Sequence, residues 1–249
     1  VTEPLDRNVA YTEKYETAYE PLESADFDNA LVFIPDPYGP WQNHPFQSLR
    51  NDPGFDGDVV YARDRDPAGN FELLAAYPNR SVYRYAYRGE WTPDPDEHVE
   101  PKLESLSIAT GSSLRGETRV GVADRVARAT VAIEVDGETV TRGLNAPGEN
   151  ITANWALVNG TVRLLAVNGA PLTSSNTSIP TDETEGVSLR ITLVDTGGYT
   201  YTYQQQTAVQ STPAGLQAVT PAERRVCRLT TDCDPEDTYL PNDPTAHPE

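Results

Sequence analysis

The chain has 249 residues, enough for one large domain or two small ones, each able to bury a core of its own. Asp and Glu number 38 against 19 Lys and Arg, a formal charge of −19 that argues against nucleic acid or an anionic bilayer as a partner. Only Lys14 and Lys102 are lysines, and the remaining basic residues are arginines. An acidic surface nearly free of lysine suits molar salt. There the Debye length is about 3 Å and neighbouring carboxylates barely repel. The expectation is a salt-adapted protein of a halophilic archaeon.

In chain order, residues 5–25 read as an amphipathic helix, with Leu5, Val9, Tyr15, Ala18, Tyr19 and Leu22 at helical spacing and Pro21 near its end. Ala30–Ile34 is a short apolar run bounded by Pro35 and fits a buried strand. Residues 35–58 are crowded with Pro, Gly, Asn and Asp and read as a long functional or self-packed loop. Residues 59–62 and 71–77 are expected as the second and third strands, and Ser81–Arg88 as a further one. The Pro- and acid-rich stretch 92–101 reads as a linker.

Beyond it the pattern turns to short alternating strands, placed near 103–109, 117–123, 128–135, 138–143, 151–158, 161–167, 187–194 and 199–207. Asp136-Gly137, Asn159-Gly160, Asn168-Gly169 and Gly197-Gly198 punctuate them, the first three having the composition of primed hairpin turns. The fold class is therefore mainly β. A small α/β region spans 1–91, a linker 92–101, a β-sandwich of immunoglobulin-like or jelly-roll type 102–234, and a disordered tail 235–249.

Two cysteines, Cys227 and Cys233, enclose five residues. A disulfide closes so short a loop readily in an oxidising compartment, whereas two thiols alone make a poor zinc site. Asn-x-Ser/Thr sequons stand at Asn79, Asn150, Asn159 and Asn176, the last three in turn-like polar contexts from which a glycan could project. No stretch reaches the roughly 20 apolar residues of a membrane span. A start at Val1 followed by a helix is expected of a processed protein, or of a piece of a longer one anchored through segments outside this chain.

Signatures of catalysis are sparse. The chain lacks a Gly-x-Ser-x-Gly elbow, a phosphate loop and a His-Glu-x-x-His pair, and of its histidines only His44 sits where a catalytic base is sensible. Carboxylates are so abundant that any pair picked from the sequence says little about acid–base chemistry. Asp52, Asp56 and Asp58 form the first calcium candidate, with Asp232, Asp234, Glu236 and Asp237 a second, but neither has an EF-hand pattern. The expectation is solvated acidic loops and no cofactor, with calcium as the alternative. Concentrated, unusual chemistry lies in residues 36–58. Tyr38, Trp41 and Phe46 supply aromatic faces for a pyranose, and Asn43, His44 and Arg50 supply donors and acceptors for its hydroxyls. The competing reading folds these aromatics into a small core of an Ω-loop.

The same region carries a resemblance. Asn29–Pro35, Trp41–Phe46, Arg50–Arg63, Ala76–Arg80 and Tyr83–Tyr85 resemble the C-terminal extracytoplasmic region of haloarchaeal membrane proteins similar to family 39, mannosyltransferase-like glycosyltransferases, which use lipid-linked sugars. The likeness covers residues 27–90, about a quarter of the chain. In such proteins the membrane-embedded part carries catalysis, so the resemblance implies no catalytic residue here. It implies an outer, non-catalytic accessory domain at the cell surface that contacts a glycan or the membrane-embedded portion of the same protein. Two alternatives stand beside it, a structural or adhesion ectodomain of the envelope and a secreted carboxylate-dependent hydrolase.

Overall fold

The computed structural model describes residues 3–35, 45–89, 91, 99–172, 177–231 and 233. They are mainly β, with few helices, and form two compact units. Of these, the described residues within 3–65 and 73–106 belong to the first, and those within 66–72 and 107–233 to the second.

In the first unit a helix, α1 (Glu3–Glu23), precedes strand β1 (Ala30–Ile34). Residues Ala30 to Phe33 are each no more than 3% exposed, as expected for the central strand of a parallel sheet covered on both faces. Strand β2 (Val59–Arg63) runs parallel to β1 on one side, in register Ala30↔Val59 to Ile34↔Arg63. Strand β3 (Ser81–Gly89) runs parallel on the other side from Ala30↔Ser81. The first half of strand β4 (Val99–Gly111) completes the sheet antiparallel to β3, from Val82↔Leu106 to Gly89↔Val99. Val99–Pro101, placed in the linker by composition, are thus strand residues. The core under α1 gathers Ala18, Leu22, Ala30, Val32, Phe46, Tyr85 and Trp91. Val9, expected on the apolar face of α1, is 57% exposed.

Helix α2 (Pro67–Ala76) occupies the place where the third strand, 71–77, was expected. Its start decides the matter. The Asp66 carboxylate accepts the Gly69 N–H at 2.8 Å, a side-chain N-cap, and Pro67 takes the first helical position, where no N–H is needed. Leu73, Leu74, Ala75 and Ala76 then favour helix, and Phe71 and Leu74, one turn apart, are both buried.

The second unit is the expected antiparallel β-sandwich. Its strands are β5 (Ser113–Gly121), β6 (Val126–Val135), β7 (Glu138–Asn145), β8 (Asn150–Val158), β9 (Thr161–Val167), β10 (Ala170–Pro171), β11 (Ser178–Pro180), β12 (Thr184–Asp195), β13 (Thr200–Thr212), β14 (Gly215–Thr220) and β15 (Glu223–Arg228). One sheet runs from Ser107–Gly111 of β4 through β14, β13, β12 and β6 to β7, with β15 also paired to β13. The other runs β10-β9-β8-β5, with β11 also on β9. Alternate residues of both sheets share a single core that includes Val131, Ile133 and Val135 of β6, Ile151, Trp155 and Leu157 of β8, and Leu189 and Ile191 of β12.

Three hairpin turns carry the composition expected of them. Asp136-Gly137, Asn159-Gly160 and Asn168-Gly169 all have positive φ at both central residues, at 46° and 77°, 51° and 65°, and 50° and 73°.

Candidate functional site

Of the aromatic-polar segment, Tyr38, Trp41, Asn43 and His44 lie outside the described residues. Phe46 and Arg50 lie within them. Phe46 sits in the 3₁₀ turn Pro45–Ser48 and is 7% exposed. Its ring meets Tyr85 edge-on at 4.7 Å and Trp91 at 6.1 Å. Tyr85 in turn donates its hydroxyl to the Ala18 carbonyl at 2.7 Å, and burial pushes its pKa far above the ordinary tyrosine value. Phe46 is therefore a core residue, not a ligand platform, because the turn that carries it folds back onto β3. Arg50 is exposed, and its guanidinium donates to the carbonyls of Gln47 and, at 2.8 Å, Leu49. It caps its own turn.

The more informative geometry begins one residue later. Asn51 pairs with the backbone of Tyr61 on β2 as a strand residue would: its Oδ1 accepts the Tyr61 N–H at 2.8 Å and its Nδ2 donates to the Tyr61 carbonyl at 2.9 Å. The Asp52 carboxylate then collects the N–H groups of Gly54 and Gly57, both at 3.0 Å, and that of Asp56 at 3.4 Å. The Gly57 N–H above all, then a hydrogen bond with the Asp56 side chain, holds the Asp52 pKa below its ordinary value. Asp52 thus organises a turn. Its oxygens face backbone donors, and among the described residues no group of three or more His, Cys, Asp or Glu side chains is placed to hold a metal ion. Asp52, Asp56 and Asp58, the calcium candidates, are not brought together as such a group.

Arg80 clamps this turn from the start of β3. Its Nη1 donates to the Gly57 carbonyl at 2.8 Å and the Ala30 carbonyl at 3.1 Å, and its Nη2 to the Phe55 carbonyl at 3.4 Å. The Arg80 guanidinium also lies 5.4 Å from the centre of the Tyr77 ring. At the apex stands Phe55. It has a φ of 55° and is 49% exposed. A bulky side chain in the left-handed region is a genuine outlier, and such strain persists only where the surroundings impose it. Here Asp52 and Arg80 hold the backbone of the turn, and the result is an exposed aromatic side chain on an organised turn. Phe55 and Arg80 were not singled out from sequence. The signal present was the Asn51-Asp52-Pro53-Gly54 turn grammar, which places an apolar residue directly after a turn glycine.

The expected disulfide is present. Cys227 and Cys233 are bonded, and both are at most 1% exposed. The bridge anchors the segment after β15 onto β13, where Gln204 Oε1 accepts the Cys233 N–H at 2.9 Å and Thr202 Oγ1 donates to the Thr230 carbonyl at 2.7 Å. The second acidic cluster has Asp232, Asp234, Glu236 and Asp237 outside the described residues. Among the sequon asparagines, Asn79, Asn150 and Asn159 are exposed, and Asn176 lies outside the described residues. No described helix is long and apolar enough to cross a membrane.

Comparison with known proteins adds one match. A family model described as a domain of unknown function matches residues 30–207, from the start of β1 into β13. No curated protein and no solved structure matches the chain.

Proposed function

The chain belongs to the DUF7846 family, and from that footing we propose that it is a non-catalytic, extracytoplasmic accessory domain that holds a neutral glycan, serving a cell-surface glycosylation protein of the glycosyltransferase kind. The observation that carries the reading is Phe55, a half-exposed aromatic residue whose backbone is kept at a positive φ by a turn that Asp52 and Arg80 organise. An exposed aromatic face on a turn whose backbone is already fixed suits the apolar face of a pyranose and spares the ordering of that backbone on binding. Asp56 and Asp58, close to it in sequence, are exposed and offer acceptors for sugar hydroxyls. A charge of −19 disfavours polyanions in the same place. The resemblance to the outer region of lipid-linked-sugar glycosyltransferases spans this turn. The disulfide fits an oxidising compartment, hence the outer face of the membrane.

The test is a titration of the chain with the oligosaccharide released from its host's surface glycoprotein, followed through the Phe55 ring resonances. Specific shifts are expected, and Phe55→Ala removes binding without lowering the melting temperature. Unmoved Phe55 resonances at millimolar oligosaccharide sink the glycan reading and leave a structural surface module. Location is tested separately by a membrane-impermeant amine reagent on intact cells: Lys102, whose side chain is 52% exposed, is labelled only if this domain lies outside.

A further inference from the structure

We infer that Asn159 is an N-glycosylation site that can be modified in the folded chain, ahead of the other described sequons; the inference rests on the extracytoplasmic reading above. A transferase must draw the sequon into its own groove, so the cost is set by what each asparagine and its two followers are holding. Asn159 stands at the tip of the β8–β9 hairpin, exposed, with φ of 51°. Among the described residues no hydrogen bond engages its carboxamide. Its first follower, Gly160, has no side chain to extract and holds one bond outside the hairpin, accepting the Thr181 N–H at 2.9 Å. Its second follower, Thr161, supplies the hydroxyl from the first position of β9, where it pairs with Val158 and Pro180 but, unlike Ile151, is not buried in the core.

The other sequons cost more. At Asn150 the first follower is Ile151, which is 0% exposed in the sandwich core, and Asn150 itself pairs with Gly121 in the sheet. At Asn79 the first follower is Arg80, whose guanidinium binds the Gly57 and Phe55 carbonyls of the turn and the Ala30 carbonyl of β1, and the Asn79 carbonyl accepts from Asn29 Nδ2 at 2.8 Å. The neighbouring hairpin supplies a control. Asn168-Gly169 has the same turn geometry, but Asn168 Oδ1 accepts the Thr152 N–H at 2.8 Å and the residue after Gly169 is Ala170, which has no hydroxyl. Of two like turns, one presents in a sequon a carboxamide that no described residue engages, and the other an engaged one outside any sequon.

The reaction takes a lipid-linked glycosyl phosphate as co-substrate. Asn159 Nδ2 attacks the anomeric carbon, the bond from that carbon to the phosphate oxygen breaks, and the nitrogen–carbon bond forms. One amide proton passes to a base of the transferase, and the lipid phosphate leaves.

The experiment is peptide mapping by mass spectrometry of the protein recovered from its own host, alongside Lys102 labelling on intact cells. Glycan is expected on the Asn159 peptide at higher occupancy than on the Asn150 and Asn79 peptides. Thr161→Val, which keeps the shape but removes the hydroxyl, abolishes it, and Thr161→Ser keeps it. A labelled Lys102 with a bare Asn159 peptide, a higher occupancy at Asn150 or Asn79, or a glycan that survives Thr161→Val overturns the inference and leaves the extracytoplasmic reading standing. An unlabelled Lys102 with a bare peptide overturns both.

Discussion

Gly116 on β5 lies directly opposite Trp155 on β8, and the indole occupies the space a side chain at 116 would need. A Cβ built on Gly116 would overlap the indole atoms Nε1, Cε2 and Cζ2. Trp155 is 6% exposed and belongs to the sandwich core. The glycine is thus the groove into which the tryptophan packs, and β5, at the edge of its sheet, is held by that contact as well as by its ladder.

Gly116→Ala should therefore destabilise the sandwich by about 1–3 kcal/mol, the usual cost of overpacking a well-filled core. Chemical denaturation measures it, and the Trp155 emission should shift to the red as the ring is displaced. Gly121→Ala is the control, since a Cβ there meets nothing within 4 Å. Equal costs at the two positions would show that backbone freedom, not the indole, explains Gly116.

At Phe55 the ordinary ranking of Ala over Gly should reverse. In most strand or helix positions Gly is the less stable residue by roughly 0.5–1 kcal/mol. A left-handed backbone costs a residue with a Cβ roughly 1–2 kcal/mol. Phe55→Gly should accordingly be more stable than Phe55→Ala by about 1 kcal/mol, read from denaturation midpoints. If Ala is the more stable, the turn is not strained at 55, and the argument that the residue is held there for a purpose fails.

Those two sites differ in how far the sequence exposes them. The Asp136-Gly137, Asn159-Gly160 and Asn168-Gly169 turns were legible because their conformation is set by the residues within them. The disulfide was legible for a similar reason, the short spacing of its cysteines. Helix α2 was misread because Phe71 to Tyr77 is a short apolar run with no decisive period. The capping pair Asp66-Pro67, just upstream, carried the answer. Strands β14 and β15 went unseen because Pro213 and Pro221 break the alternation around them. The candidate site was least legible. Phe46 is buried and Phe55 exposed because of partners far along the chain, Tyr85 and Arg80, that no local pattern announces.

Removing the bridge with Cys227→Ala and Cys233→Ala together should cost about 2 kcal/mol, the chain-entropy value for so short a loop. The loss should be local. Hydrogen exchange should quicken at Cys233, whose N–H is held by Gln204, and along β15, while the β6–β12 ladder stays protected. Equal acceleration in both ladders would mean that the bridge supports the whole sandwich.

The excess of carboxylates should make the fold depend on screening. Between about 0.1 M and 1 M KCl the Debye length falls from about 10 Å to 3 Å, and with a charge of −19 the melting temperature should climb through that range. A flat curve would contradict the salt-adapted reading of the composition.

Glu185 on β12 offers the same physics at one residue, with two causes that salt can separate. Burial first, then the charge of Asp136, then that of Asp182, raises its pKa above the ordinary 4.5. The folded chain therefore binds this proton more tightly than the unfolded chain does. The sign follows: the group's favourable contribution is present below pH 4.5 and is lost as pH rises through the elevated folded value. Glu185→Gln, which mimics the protonated form, should be more stable than the parent at pH 7, and the gap should close in acid. Raising KCl to 1 M should shrink the gap, because the repulsion from Asp136 and Asp182 is screened. It should not abolish it, because the larger cause is desolvation, which screening leaves in place. Denaturation of the two proteins at pH 7 and in acid, each at low and high salt, measures all four cases. A gap that vanishes in salt would make repulsion the dominant cause, and a destabilised Gln variant at pH 7 would reverse the assignment altogether.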